Sequence, residues 1–466
     1  MSINFLLNKK NRFILLWITI LFLSQIGLSK NLSMISFLLF TVTSAFMFIH
    51  YKKTTHTFFS PAGIFSFIWF FSIGLSQLRL NINQIPFQNE TWLILYLTFL
   101  CFFVGYESCT ISNKGYGKDY DRNKLFYVII ALFIISVSCF ILEILFRGFI
   151  PLFSNDPNAY VSFSVTGIHY FVVSCILIPP LTVIYLCNQK TSKKVQLLFV
   201  IMDTVCFSIP ILIVSRQLLL MGIILFFLAI TKKFIKYEKI LLIGVVILAL
   251  ISFILLSLGR NQNEEYLDYV FNQKNIYTMR HEKDYKLNLN EEKIYQQLYQ
   301  GINNNYSRIE LDNLPMPCYQ IYMYIAFNFD NFNYLTVATN TFTYGKKSLF
   351  PIFALSGIKF ISPSSFDFTV NNYLSTFNTA PICFTPYLDF RIVGVIIYMF
   401  IIGVISKIGF LHSENDLGIM NYGIICYSLL FSFFTSFFSN ATIIFYFILL
   451  FIINSYIMGN RFKRKY

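Results

Sequence analysis

Charge is what this sequence lacks most. Of its 466 residues only 12% are Asp, Glu, Lys or Arg, about half the ~25% found in soluble globular chains. Acids are the scarcer sign, 22 against 36 basic residues. That shortfall, beside 56% apolar residues and 55 Phe, excludes disordered, collagen-like and disulfide-scaffold classes. Metal or disulfide spacing is also missing among the nine cysteines. Cys101, Cys109, Cys139, Cys175, Cys187, Cys206 and Cys426 sit in or beside apolar runs, where a thiol behaves as a small hydrophobe. Only Cys318 and Cys383 lie outside such runs, and a bridge between them would need an oxidising compartment. No signal-peptide cleavage pattern follows the first apolar run, so it reads as an uncleaved span. What remains is a polytopic membrane protein.

Apolar stretches near the ~20 residues that cross a ~30 Å hydrocarbon core recur along the chain. They are Phe13–Leu28, Leu32–Ile49, Pro61–Leu78, Thr91–Thr110, Leu125–Phe146 and Ile168–Leu186, then Val195–Val214, Leu218–Thr231, Ile240–Leu258, Ile392–Lys407, Ile419–Phe438 and Ala441–Met458. Backbone amides in lipid must be satisfied internally, so each is expected to be a helix. The expected fold is all-α with about twelve transmembrane helices. Residues 1–258 hold nine of them, 259–389 form one large loop, and 390–466 hold the last three and a basic tail.

The basic residues fix the expected orientation. Lys9, Lys10, Arg12, Lys52, Lys53, Lys114, Lys118, Arg122, Lys124, Lys190, Lys193 and Lys194 fall on one side, with the clusters Lys232–Lys239 and Arg461–Lys465. The short connections opposite hold only Lys30, Arg79, Arg147 and Arg216. Both termini are therefore expected in the cytoplasm. The basic surplus is topological and gives no support for nucleic-acid binding.

The loop Gly259–Asp389 is then outside, and a connection of that length is normally functional. It is rich in tyrosine, which suits both a membrane interface and sugar rings. Tyr319, Tyr322, Ala326 and Phe329 fall at helical spacing, with Asn328, Asp330 and Asn331 near the end. That pattern reads as an amphipathic helix on the membrane surface. Leu349–Phe360 is too short to span and reads as re-entrant or interfacial.

The loop ends in Asn378-Thr379-Ala380-Pro381-Ile382-Cys383-Phe384-Thr385-Pro386-Tyr387-Leu388-Asp389-Phe390-Arg391-Ile392-Val393-Gly394. This stretch resembles the Asn…Thr…Tyr-x-Asp-Phe-Gly-x-x-Gly signature of bacterial oligosaccharide repeat-unit polymerases, the Wzy-type O-antigen polymerases. Ser60-Pro61, Ile150-Pro151, Ser215-Arg216 and Tyr324–Gly345 add shorter likenesses. Arg391 departs from the signature, which commonly has glycine there. The resemblance implies a GT-C-like fold in the inner membrane. It also implies an undecaprenyl-diphosphate-linked glycan as substrate, no cofactor, and membrane lipids, a chain-length regulator and a flippase as candidate partners. The implied reaction moves the growing chain onto a new repeat unit.

That chemistry can be set against the residues. A departing diphosphate develops negative charge and needs cations, and arginine can contact it bidentately. The expected topology puts Arg147, Arg216, Arg260 and Arg391 at outer ends of spans. Snorkelling to headgroups is the bland alternative for each. An acceptor hydroxyl benefits from a base, for which Asp389 is the first candidate and His169 the second; as a helix N-cap, Asp389 would be structural instead. Arg216, Arg260 and Asp389 are thus the expected catalytic residues, and Arg147, Arg391, Tyr387, Thr385 and His169 the expected substrate contacts. Glu143 is spaced to pair with Arg147, and Asp203 reads as a packing or pathway residue in mid-span. Asp119-Tyr120-Asp121 has the metal-binding Asp-x-Asp form, but its cytoplasmic Lys-rich setting makes it a solvated cluster. No metal is expected. An O-antigen ligase shares the plan, whereas a flippase should show two related halves, and no internal repeat is visible.

Overall fold

The computed structural model describes residues 9–80, 84–109, 120–154, 159–187, 191–233, 244, 316–338, 342–366, 379–413, 415 and 417–458. Among these, every regular element is a helix. The principal helices are α1 (Lys9–Asn31), α2 (Ser33–Thr55), α3 (Pro61–Gln77), α4 (Asn89–Ser108), α5 (Arg122–Arg147) and α6 (Ile168–Cys187). They continue with α7 (Lys193–Leu212), α8 (Arg216–Lys233), α9 (Met316–Ala338), α10 (Phe384–His412), α11 (Gly418–Leu430) and α12 (Ala441–Met458). Eight are long and apolar enough to cross a membrane, and α3, α8 and α11 are shorter apolar helices. Of the expected span Ile240–Leu258, only Gly244 is among the described residues.

Local chemistry sets several boundaries. Pro61 opens α3, where its missing N–H costs nothing. Asp121 caps α5 by accepting from the amides of Asn123 at 3.0 Å and Lys124 at 3.2 Å. Gly148, at φ 75°, closes the same helix. In α6 a 3-10 turn over Ser174–Leu177 precedes Pro179-Pro180, two residues that donate no helical hydrogen bond. Apolar side chains such as Leu145, Val200 and Phe451 stay exposed along the helices, the inverse of a soluble surface and the expected state of lipid-facing positions.

The chain divides into two compact units. The first comprises residues 1–111, 263–408 and 428–440. Here α2 lies along α3, α1 contacts α2 and α4, and α9 packs on α3 and α4. Between helices in lipid the attraction comes from close packing, which small residues permit. Gly105 of α4 and Gly403 of α10 mark the closest approach. A Cβ at Gly105 would lie 2.2 Å from the Phe400 carbonyl oxygen, and one at Gly403 2.2 Å from that of Phe102. The aromatic core centres on Phe65, Trp69, Phe70 and Phe99, with the Phe65 and Phe102 rings 4.2 Å apart.

The second unit comprises residues 112–262, 409–427 and 441–466. In it α6 is central, touching α5, α7, α8 and α12. The Tyr446 hydroxyl of α12 donates to the Val173 carbonyl of α6 at 2.9 Å.

Two expectations change. The Tyr319–Phe329 helix was expected on the membrane surface, yet Phe327, Asn328, Phe329, Asn331 and Asn333 of α9 are all fully buried. Its polar residues find partners inside the first unit instead of water. The last-but-one span, expected to reach Phe438, stops as a helix at Leu430. Beyond it the Ser432 carbonyl accepts from the Ile382 amide at 2.7 Å, and Ser436 and Ser439 hydrogen-bond Tyr398 at 2.6 and 2.8 Å. Those tertiary bonds replace helical ones. Cys318 and Cys383 are free thiols.

Candidate functional site

In the first unit, α9 carries a buried polar row along one length of the helix. Asn333 accepts from the Gln88 amide and the Thr91 hydroxyl, both at 2.8 Å. Asn331 donates to the Thr379 carbonyl at 3.0 Å, and the Thr379 hydroxyl donates to Asn328 at 2.5 Å. Asp330 accepts from the Gln84 amide group at 2.7 Å, while the Tyr322 hydroxyl donates to the other end of Gln84 at 2.6 Å. Its second carboxylate oxygen is buried without a hydrogen-bond partner among the described residues. Burial lifts the Asp330 carboxyl to about 7; the Gln84 hydrogen bond and the Arg79 charge act the other way. Arg79 itself is buried, at φ 50°, with its guanidinium donating to the Ser29 carbonyl and to Gln77. This row locks the lead-in to α4 and the lead-in to α10 onto one helix.

At the start of α10 the backbone breaks. Phe390 (φ −144°, ψ 26°) and Arg391 (φ 54°, ψ −138°) are non-helical within an otherwise continuous helix. Positive φ favours glycine, the residue that the resembled signature has at the position of Arg391. The break turns Pro386 back so far that a Cβ on Gly394 would lie 2.2 Å from the Pro386 carbonyl oxygen. Arg391 spends its side chain on two aromatic faces, 4.8 Å from the Tyr387 ring centre and 5.2 Å from that of Phe342. Tyr387 is buried, packs edge-on against Phe332, and donates its hydroxyl to exposed Glu90 at 2.8 Å. Thr385, two residues earlier, is half-buried. A cation, two aromatic rings and an accessible carboxylate thus meet at the end of a candidate membrane helix.

Asp389 sits in the same place but faces inward. It is 1% exposed. It accepts from the Lys347 amide at 3.1 Å, the Ser348 amide at 2.7 Å and the Thr343 hydroxyl. The Thr343 amide adds a bond to the Leu388 carbonyl at 3.0 Å. A base must offer a lone pair to its acceptor, and here both oxygens already receive donors. As placed, Asp389 is a tether between α10 and the 343–348 turn. It does not cap its own helix either. The Lys347 amine is pushed down by burial, with the Asp389 charge opposing.

In the second unit, Glu143 of α5 is fully buried, accepts from the Val165 amide at 2.9 Å and lies 3.1 Å from His169 Nδ1. The expected partner, Arg147, instead donates to the carbonyls of Phe163 at 3.3 Å and Ser164 at 2.6 Å. The two residues clamp the segment before α6 from successive turns, and His169 is held by that clamp. Asp203 of α7 accepts from the Thr182 hydroxyl of α6 at 2.8 Å, a packing contact between helices. Arg216 begins α8 beside Val214, which sits at φ 60° in the tight turn from α7. Arg260 lies outside the described residues, as does Asp119, whereas Asp121 is the cap of α5.

The structure therefore gathers Thr385, Tyr387, Asp389 and Arg391 in one unit, and Arg147 with His169 around Glu143 in the other. Sequence reasoning missed Glu90, Gln84 and Arg79. Their signal was weak: all three lie in the polar connection between two apolar runs, where polar residues are the default. Compared with known proteins, the chain matches no family model, no curated protein and no solved structure.

Proposed function

We propose that the protein is a membrane glycosyltransferase that joins polyprenyl-diphosphate-linked oligosaccharide repeat units at the outer face of the bacterial inner membrane. The observation that carries this reading is the broken start of α10. There Arg391 lies between Tyr387 and Phe342, with Glu90 on the Tyr387 hydroxyl. Each group suits one part of the chemistry. The guanidinium neutralises charge developing on a leaving diphosphate. The exposed Phe342 ring takes a sugar face, while buried Tyr387 holds the guanidinium in place. Asp389 positions Arg391 by fixing the turn opposite the break. The resemblance to repeat-unit polymerases supports the same reaction from the sequence side, although its signature commonly has glycine where Arg391 stands, and it is the resemblance alone that gives Arg216 a diphosphate-binding role.

Deleting the gene and resolving the surface polysaccharide on a gel tests the proposal. A ladder reduced to one repeat unit on the core is the expected result. Complete loss of repeat units from the core would make the protein a ligase, and lipid-linked units trapped inside would make it a flippase; either result overturns the polymerase reading. Complementation with Arg391→Ala should fail to restore the ladder at equal membrane abundance.

A further inference from the structure

Between the Thr343–Ser348 turn and Phe366 the chain forms two very short helices, Phe350–Leu355 and Ile358–Ile361, hinged at Gly357 with φ 82°. Pro351 and Ala354 face inward. Leu349, Ile352, Phe360 and Ile361 face outward, Ile361 at 85% exposure. Exposed apolar side chains at this density, on an element too short to span, call for an apolar partner.

Two observations identify it. The first is position. The Asp389 tether and the bond from the Thr343 amide to the Leu388 carbonyl pin this segment to the start of α10, a candidate membrane helix. Its exposed apolar surface continues through Tyr344 and Phe390, whose rings are 6.5 Å apart, to exposed Val393 and Ile397 on α10. The second is charge. Lys346, Lys347 and Lys359 lie within the segment or directly before it, and no acidic residue falls between Leu349 and Phe366. The Lys359 ammonium lies over the Phe350 ring, 5.0 Å from its centre, which keeps the charge on this same patch.

We propose that Leu349–Phe366 is a foot seated in the headgroup–acyl boundary of an anionic leaflet. Its aliphatic side chains enter the acyl region and its lysines meet lipid phosphates. Through the Asp389 tether, the foot sets the depth of the α10 break in the membrane. This goes beyond the reaction proposed above and holds whatever that reaction is, because it rests only on the membrane-spanning character of α10.

The test uses the full-length chain in lipid nanodiscs, with Ile361→Cys carrying an environment-sensitive fluorophore in a background where Cys101, Cys109, Cys139, Cys187 and Cys318 are replaced by Ser. Lys193→Cys, at an exposed helix start, is the aqueous control. The expected result is a blue-shifted emission, and quenching about twofold stronger by doxyl groups near the headgroup than by those near the tail end. Insertion should deepen when phosphatidylglycerol replaces phosphatidylcholine, and Lys359→Gln should weaken that response. Emission like the control, with quenching by aqueous iodide, overturns the proposal. So does quenching strongest at the tail end, which would mean a re-entrant element, and so does insertion indifferent to anionic lipid. Ile352→Cys repeats the measurement if the first variant does not fold. None of these readouts depends on polysaccharide synthesis, so failure here and failure of the polymerase reading are separable.

Discussion

Replacing Arg391 by glycine and, separately, by alanine distinguishes the backbone from the side chain at the α10 break. At φ 54° and ψ −138° a non-glycine residue occupies a region costing ~1–3 kcal/mol. Glycine removes that strain but returns ~0.5–1 kcal/mol through the greater freedom of its unfolded chain. The glycine variant should therefore exceed the alanine variant by ~0–2.5 kcal/mol, with the middle of that range about 1 kcal/mol. Both lose two guanidinium–aromatic contacts worth ~0.5–1 kcal/mol each at a part-exposed site. Glycine then falls within ~1 kcal/mol of the parent and alanine ~1–2 kcal/mol below it. The order reverses the usual rule that glycine is the worse helix residue. Apparent melting followed by fluorescence-detected gel filtration, in one detergent and at one scan rate, reads that order. Alanine clearly above glycine would refute the strain. Polysaccharide synthesis separates the second contribution: neither variant should make polymer. A glycine variant that melts like the parent and still polymerises would show that the guanidinium has no chemical role.

Four further outcomes follow, three from the geometry and the last from the sequence resemblance. Gly403→Ala should prevent a monodisperse product, because its Cβ meets the Phe102 carbonyl oxygen at 2.2 Å and overpacking costs ~1–3 kcal/mol or more; Gly27→Ala, with nothing within 4 Å, should be neutral or better in the same gel-filtration assay. Asp330 titrates near 7 when folded against an ordinary 3.8, so the folded state holds a proton that the unfolded state has released. Stability should fall as pH rises from about 4 to about 7 and level off above, and Asp330→Asn should flatten a melting-temperature profile across that window. Asp389→Ala should speed amide exchange at Lys347 and Ser348, whose donors lose a charged acceptor worth ~1.5–3 kcal/mol; unchanged exchange there would deny the tether. Arg216→Ala should abolish polymer at unchanged membrane abundance, and full-length polymer from that variant would remove Arg216 from the mechanism.

The helices were legible because lipid imposes a rule on every residue of a span. Any apolar run of bilayer length must satisfy its amides internally, so runs such as Leu125–Phe146 and Ala441–Met458 declare themselves. Interruptions were less visible: the Pro179-Pro180 turn in α6 is written in the sequence, but the end of α11 at Leu430 depends on Ile382 and Tyr398 supplying bonds from far along the chain. The interior of the first unit was the least legible. Periodicity places Asn328, Asp330 and Asn331 on a helix, and local reasoning then gives such residues to water. Their partners are Gln84 and Thr379, with Gln88 and Thr91 on Asn333 beyond them, all fixed by tertiary structure alone. Arg391 shows the same limit from the other side. Its charge and its place beside Asp389 could be read directly, whereas its strained backbone and its seat between Tyr387 and Phe342 required the break in α10. A buried polar row costs stability unless every member is satisfied. Here it fixes in one register both segments that carry the candidate site, the lead-in bearing Glu90 and the lead-in bearing Tyr387. An apolar α9 would have served packing as well, so the polar row is best understood as the device that holds Glu90 and Tyr387 within hydrogen-bond reach.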